Sequence, residues 1–128
     1  MKKLNHYMVS VGALYRYIKA MDPARIKEIS NGCGSKEGFF GLDIVPDNFL
    51  GLDLTDVCNR HDVSYHLGTT AEEKLAGDLM FLNDMVLKNI GDEGQSDKIK
   101  ALRFKIIMDY FIAVHFYGDD AFFPKETA

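Results

Sequence analysis

The spacing of apolar residues predicts helices over most of the chain. Between residues 4 and 20, apolar side chains recur every three or four positions, so they share one face of an amphipathic helix. These side chains are Leu4, Tyr7, Met8, Val11, Leu14, Tyr15 and Ile18. Asp22 followed by Pro23 is a typical helix start, which predicts a second short helix to about Ser30. Residues 1–30 are therefore interpreted as two N-terminal helices.

Residues 31–52 lack this periodicity and are rich in residues typical of turns. They include Gly32, Gly34, Gly38, Gly41, Gly51 and Pro46. A long irregular segment inside a compact domain usually has a function. We therefore expect a functional loop here; strand signals are weak, and a short hairpin is the regular structure that they allow.

A third helix is predicted over residues 53–68. Asp53 and Thr55 both have short polar side chains that can cap free backbone N–H groups, so the helix is expected to begin near one of them. Gly68 is expected to end it in a left-handed conformation.

Two longer helices are predicted in the C-terminal half. Thr70 and Glu73 have the spacing of a capping box and open a helix over residues 70–90. The last helix is expected over residues 96–117, where apolar residues again keep helical spacing, and the two long helices are expected to pack together. The apolar positions of the last helix are Ile99, Leu102, Ile106, Tyr110 and Val114.

The composition favours one folded domain over residues 1–128. The chain has 47% hydrophobic and 27% charged residues, which is typical of a folded globular protein. The net charge of −4 gives no general reason to expect a nucleic-acid partner. No stretch approaches the roughly 20 apolar residues that cross a bilayer, so no transmembrane segment is expected.

The N-terminal 30 residues differ in charge from the rest of the chain. They contain six Lys and Arg residues and two Asp and Glu residues, a net charge of +4. Either an affinity for anionic surfaces or, more commonly, a solvated basic helix face explains this excess. Met1-Lys2-Lys3 resembles the start of a signal peptide, but polar residues interrupt the segment that follows. We therefore interpret the chain as mature protein.

Candidate chemistry is concentrated in the third predicted helix. Cys58, His61 and Tyr65 would share one face of that helix, while Asp62 would point about 100° away. A histidine titrates near neutral pH and can take a proton from an attacking water. An aspartate suits a hard cation such as calcium, and the glycine-rich segment 31–34 could add backbone carbonyls. The sequence thus predicts a base and a cation ligand side by side.

A helix with the pattern Cys-x-x-His-Asp-x-x-Tyr, preceded by a Gly-Cys-Gly loop, resembles the secreted phospholipase A2 superfamily, most closely its small bacterial and fungal branch. The resemblance covers roughly residues 31–122. Residues 78–85 resemble that branch's second long helix, and residues 110–118 resemble its C-terminal end. It implies a mainly α fold with two long antiparallel helices that carry the site, a calcium-binding loop and shorter N-terminal helices.

The resemblance also implies an activity. The protein would use Ca²⁺ to hydrolyse the sn-2 ester of glycerophospholipids at a membrane surface or micelle, releasing a fatty acid and a lysophospholipid. His61 would activate the attacking water. Asp62 and the carbonyls of Gly32 and Gly34 would bind calcium, and the Gly34 N–H would stabilise the oxyanion together with the ion.

A carboxylate on the second long helix is expected to orient His61. The resemblance assigns this role to Asp78, with the Tyr65 hydroxyl bonded to the same carboxylate. Asp84 is the rival, because it lies about 240° further around the helix and at most one of the two can face His61. The other histidines, His6, His66 and His115, are expected to be surface or core residues.

The two cysteines, Cys33 and Cys58, match the family's disulfide between the calcium loop and the catalytic helix. Such a bond would stabilise the fold by about 3 kcal/mol. It would also imply an oxidising compartment and an exported or secreted protein, although no clear signal peptide is visible.

Three departures from the family pattern affect the expected activity. Ser64 stands where animal members usually have cysteine. Lys36 stands where a second loop glycine is expected, and the loop is longer than usual, so weakened calcium binding is expected. Two alternatives to the enzyme remain: a catalytically weak or inactive membrane- or protein-binding module of the same fold, and a helical calcium-binding structural protein unrelated to lipid.

Overall fold

The computed structural model describes residues 11–29, 46–68 and 70–118, and these ranges are mainly helical, as predicted. In chain order the elements are α1 (Val11–Lys19), α2 (Pro23–Ile29), β1 (Asn48–Phe49), β2 (Leu52–Asp53), α3 (Thr55–Leu67), α4 (Ala71–Ile90) and α5 (Asp97–Tyr117).

The two N-terminal helices pack on the outside of α3 and α4. The predicted first turns of α1, over residues 4–10, lie outside the described residues. Ile18 of α1 is fully buried and packs in an apolar cluster with Val63 of α3 and Met80 of α4. α2 begins at Pro23 as predicted, and the Asp22 carboxylate accepts a hydrogen bond from the Ala24 N–H at 3.2 Å.

A two-stranded antiparallel hairpin is present at the end of the predicted loop, where Phe49 pairs with Leu52. Its turn has two residues with positive φ, Leu50 at 49° and Gly51 at 81°. Glycine adopts this conformation freely, whereas a leucine there costs about 1 kcal/mol. The Leu50 carbonyl is held in this turn by two hydrogen bonds from Arg103 of α5, at 2.8 and 3.2 Å.

α3 begins and ends where the sequence predicts, but the conformation at its C-terminal end differs from the prediction. The helix begins at Thr55, because Asp53 belongs to β2 and its carboxylate accepts the Thr55 N–H at 2.9 Å. The left-handed conformation predicted for Gly68 is wrong, since its φ and ψ are −80° and 157°. The Gly68 N–H still bonds to the Ser64 carbonyl at 3.0 Å, so the helix ends without a left-handed turn and the chain leaves extended.

The predicted capping box at the start of α4 is confirmed. The Thr70 hydroxyl accepts the Glu73 N–H, and the Glu73 carboxylate accepts the Thr70 N–H, both at 3.1 Å. Ser96 likewise caps α5 by accepting the Ile99 N–H at 3.3 Å. These local bonds place the ends of both helices where the sequence predicts them.

The two long helices run antiparallel and pack together, as predicted. At one end the Asn89 side chain donates to the Lys100 carbonyl at 2.9 Å, and at the other Lys74 donates to the His115 carbonyl at 2.8 Å. The main core lies between these helices, α3 and the hairpin. It contains Phe49, Leu52, Leu54, Val57, Cys58, Phe81, Met85, Ile107 and Val114.

The apolar face predicted for α5 is partly wrong. Leu102 is 48% exposed, whereas its neighbour Arg103 is fully buried. The arginine is accepted in the interior because its guanidinium reaches acceptors on three segments. These are the Leu50 carbonyl of the hairpin, the Asn89 side chain at 3.3 Å and the Asp92 carboxylate at 2.9 Å.

Within the described ranges, none of the helices combines the length and the apolar character needed to cross a membrane.

Replacing Arg103 is expected to weaken the fold substantially. Arg103→Met keeps much of the buried volume but leaves the Leu50 carbonyl, Asn89 and Asp92 without their donor, so we expect a loss of about 2 kcal/mol in the free energy of unfolding. Urea denaturation measures it. Lys105→Met is the matched control, because Lys105 is exposed on the same helix and a loss below about 0.5 kcal/mol is expected there. Equal losses in the two variants would contradict a special role for Arg103.

Candidate active site

A histidine and an aspartate meet where α3 and α4 cross in opposite directions. His61 Nε2 lies 2.8 Å from Asp78 Oδ1, and both side chains are fully buried. The Tyr65 hydroxyl, one turn further along α3, donates to the same oxygen at 2.8 Å. The three residues proposed from the sequence as base, orienting carboxylate and supporting hydroxyl are thus in direct contact.

Two aromatic rings flank the imidazole of His61. The Tyr65 ring centroid lies 4.4 Å from it and the Phe81 ring centroid 4.6 Å. Tight contacts of this kind limit rotation of the imidazole about its side-chain bonds. The ring is therefore held in one orientation by packing as well as by its hydrogen bond to Asp78.

The second oxygen of Asp78 has two further partners. Lys74 Nζ donates to Oδ2 at 2.9 Å, and His115 Nδ1 lies 2.8 Å from the same atom. Asp78 together with His61, Tyr65, Lys74 and His115 is called the Asp78 cluster below. Because its members come from α3, α4 and α5, the cluster exists only when all three helices are docked.

The Asp78 carboxyl stays ionised over the ordinary pH range. Burial by itself would raise its pKa, but hydrogen bonds from His61, His115 and Lys74 outweigh burial and hold the pKa well below the usual range. An ionised carboxylate can only accept hydrogen bonds, so the proton between the two side chains belongs to His61 Nε2. The other ring nitrogen, Nδ1, is then the one that can act as a base.

Asp84, the rival carboxylate, does not face His61. Its carboxylate binds Arg60 instead, with Arg60 Nε 3.0 Å from Oδ2, and it is almost completely buried. Arg60 also approaches Asp56 at 3.8 Å. The structure thus assigns Asp78 and Asp84 to different faces of α4.

Of the predicted calcium ligands, Asp62 lies within the described residues. This residue is half-buried on α3, next to His61 in the chain. The other predicted ligands, Gly32 and Gly34, lie outside the described residues, as does Lys36. Among the residues that the structure describes, no three His, Cys, Asp or Glu side chains form a metal-binding group. The described chain therefore offers one carboxylate, and the calcium site stays a prediction that depends on the loop carbonyls.

Cys58 and Ser64 both lie on α3, where their side chains are buried. Cys58 is fully buried in the main core. Its predicted disulfide partner, Cys33, is outside the described residues, so the bond stays a prediction. Ser64 is also buried, and its hydroxyl donates to the His61 carbonyl at 2.6 Å. The Ser64 hydroxyl thus has its hydrogen-bond partner within α3, at the position where animal members of the family usually have a cysteine.

Two members of the cluster, Lys74 and His115, were not predicted from the sequence. Lys74 and Asp78 are opposite charges four residues apart on a helix, a spacing that could have revealed their ion pair. The expectation that His115 is an ordinary surface or core residue is wrong, because it bonds to Asp78 across 37 positions of the chain. Only the antiparallel pairing of α4 and α5 brings it there. His66, in contrast, is exposed as expected.

Comparisons with known proteins give no match: no family model, no curated protein and no solved structure is similar enough to this chain.

Removing the charge of Asp78 is expected to destabilise the fold and to change its response to acid. Asp78→Asn leaves the buried Lys74 without its counter-ion, so a loss of about 3 kcal/mol in unfolding free energy is expected at pH 7. Because folding lowers the Asp78 pKa below its ordinary value of 3.8, this carboxylate stabilises the wild type above that pH and the benefit fades as the pH falls below it. The variant should lack that acid-dependent loss.

Urea denaturation at a series of pH values from about 7 down to about 2 measures both effects. Asp109→Asn is the control, because Asp109 forms an exposed pair with Lys105 on α5 and should change stability by no more than about 0.5 kcal/mol. If the wild type and Asp78→Asn lost the same stability on acidification, the lowered pKa of Asp78 would not be the cause of the acid-dependent loss.

Proposed function

We propose that this protein is a calcium-dependent phospholipase A2-like esterase with His61 as its general base. The observation that carries the proposal is the hydrogen bond between His61 and the buried, ionised Asp78. That bond fixes both the tautomer and the orientation of the imidazole, which are the two properties that a catalytic histidine requires. We also propose that the helical fold is of the phospholipase A2 type.

The reaction follows from the protonation of His61. Nδ1 takes a proton from water as the water oxygen forms a bond to the carbonyl carbon of the sn-2 ester. The tetrahedral intermediate then breaks the bond to the glycerol oxygen, and the proton on Nδ1 passes to that oxygen. A fatty acid and a lysophospholipid leave, and His61 returns to its starting form.

Asp62, with the carbonyls of Gly32 and Gly34, would hold the calcium ion. When bound, the ion would polarise the ester carbonyl and stabilise negative charge on its oxygen. Asp62 suits this role because it is next to His61 in the chain but only half-buried. The Gly34 N–H would donate to the same oxygen. The proposed Cys33–Cys58 disulfide would tie the loop to α3, which implies an oxidising compartment and hence export.

Two observations favour a second candidate, a phospholipid-binding module without turnover. His61 is fully buried, so a substrate reaches it only if the surrounding chain opens. In addition, a cavity of about 450 Å³ lies between α1, α2 and α3, and its wall contains Ile18 and Ile26 but not His61. Lys19, Lys27 and Arg60 also line it together with one carboxylate, Asp56, so the net positive charge of the wall suits an anionic lipid.

Fatty-acid release from vesicles of phosphatidylglycerol and phosphatidylcholine tests the enzyme proposal. With calcium on the order of millimolar, the wild type should release fatty acid, and excess chelator should abolish the release. His61→Gln should lower the rate at least about 100-fold, because it removes the base. Asp62→Asn should raise the calcium concentration needed for half-maximal release.

His66→Gln is the matched control, since His66 is an exposed histidine on the same helix and should leave the rate unchanged. Release that is equal in wild type and His61→Gln would refute His61 as the base. If the folded wild type bound vesicles but released no fatty acid, the enzyme proposal would be refuted and the binding module supported.

A further inference from the structure

One side of α4 carries a row of apolar side chains that the core does not fully cover. They recur every three or four residues, so they form one stripe along the helix. Leu75 and Ile90 are 43% and 62% exposed, and the other members are partly exposed. The stripe consists of Leu75, Leu79, Leu82, Val86 and Ile90.

α5 also presents apolar side chains to solvent, although it buries Ile107 and Val114 in the main core. Phe104 and Ile112 are 49% and 47% exposed, and Met108 between them is partly exposed. These three residues are four positions apart and form a second stripe. A helix with apolar residues on both sides usually has neighbours on both sides.

Both stripes point away from α3. On α4, Asp84 reaches α3 through Arg60, and Val86 points about 160° away from Asp84. On α5, Ile112 likewise points about 160° away from Val114, which is buried against α3 in the main core. The two stripes therefore lie on the same side of the helix pair.

The antiparallel register joins the two stripes into one surface. The Asn89 side chain bonds to the Lys100 carbonyl at 2.9 Å, so Val86 lies at about the level of Phe104. The combined surface is called the α4–α5 face below. It consists of Leu75, Leu79, Leu82, Val86, Ile90, Phe104, Met108 and Ile112.

The apolar area of the α4–α5 face matches the requirement of a stable interface. A large side chain exposes roughly 200 Å² when fully accessible, so the eight partly exposed side chains offer roughly 600 Å². That is the upper end of what a monomer usually exposes in one patch. A standard interface buries roughly 800 Å² on each partner, of which a little more than half is apolar. The face has enough apolar area for one.

The charges around the face favour a second copy over a membrane as its occupant. Lys105 and Asp109 border the face on α5 and pair with each other at 2.9 Å. Because their charges cancel, they neither attract anionic lipid nor repel an identical face. Helices that lie on membranes usually combine basic residues with Trp, and the chain contains no Trp. Lipid on this face would also be turned away from His61, which lies on α3.

We propose that the α4–α5 face is the interface of a symmetric homodimer. In a two-fold arrangement, α4 and α5 of one copy pack against the same two helices of the other and form a four-helix bundle. The spacing of three and four residues suits the shallow crossing angle of such bundles. This inference does not depend on the proposed esterase function.

Sedimentation velocity of the full chain, over a dilution series from about 100 μM to about 1 μM, tests the inference. At the upper concentrations the wild type should sediment with twice the mass of the 14.5 kDa chain. Leu75→Glu should weaken association at least about 100-fold, because the symmetry places two unpaired carboxylates in one apolar interface. Ile112→Glu should have the same effect from α5.

Leu87→Glu is the matched control, because Leu87 is a 52% exposed leucine on α4 that lies outside the face. It should leave association unchanged. All three replaced side chains are about half exposed, so circular dichroism should show folded variants. A wild type that stays monomeric throughout the series would overturn the proposal. So would folded Leu75→Glu and Ile112→Glu variants that associate as tightly as Leu87→Glu.

Co-sedimentation with vesicles of phosphatidylglycerol and phosphatidylcholine separates the two occupants. If a monomeric wild type bound vesicles, and Leu75→Glu but not Leu87→Glu lost that binding, the face would belong to lipid and the dimer would be refuted. A dimer that Leu75→Glu dissociates, in a protein that releases no fatty acid, would support this inference while counting against the esterase function.

Discussion

The Asp78 carboxylate is a full negative charge with no exposed surface, and the arrangement of the three C-terminal helices follows from that condition. A buried ion costs several kcal/mol unless donors replace the water that it loses. Two donors reach each of its oxygens, and they come from α3, α4 and α5. Each helix must therefore have the rotation and the axial position that bring its donor within hydrogen-bond distance.

Arg103 imposes a similar condition at the opposite end of α4 and α5. Its guanidinium joins α5 to the hairpin and to the end of α4. The hairpin leads directly into α3, so fixing its turn also fixes the beginning of the helix that carries His61. A buried anion and a buried cation thus lie at opposite ends of the long helices. Together they fix the register between α4 and α5, which apolar packing alone would define less well.

The sequence was informative wherever the determining interactions are local. The capping box of Thr70 and the shared helix face of His61 and Tyr65 depend on residues a few positions apart and on regular helix geometry, whereas Asp78 was expected only from the resemblance to a known family. It was less informative for α5, because apolar character favours burying Leu102, whereas the distant acceptors of Arg103 decide the rotation of the helix. His115 was missed for the same reason. Whether a polar residue can be buried depends on partners that only the tertiary structure reveals.

The contacts of the Asp78 cluster also constrain when the site can form during synthesis. His61 and Asp78 are 17 positions apart, but Asp78 and His115 are separated by 37. A nascent chain still attached to the ribosome has to expose α5 almost to its end before the last donor can reach the carboxylate. A nascent chain that does not yet extend to His115 therefore cannot complete this histidine environment.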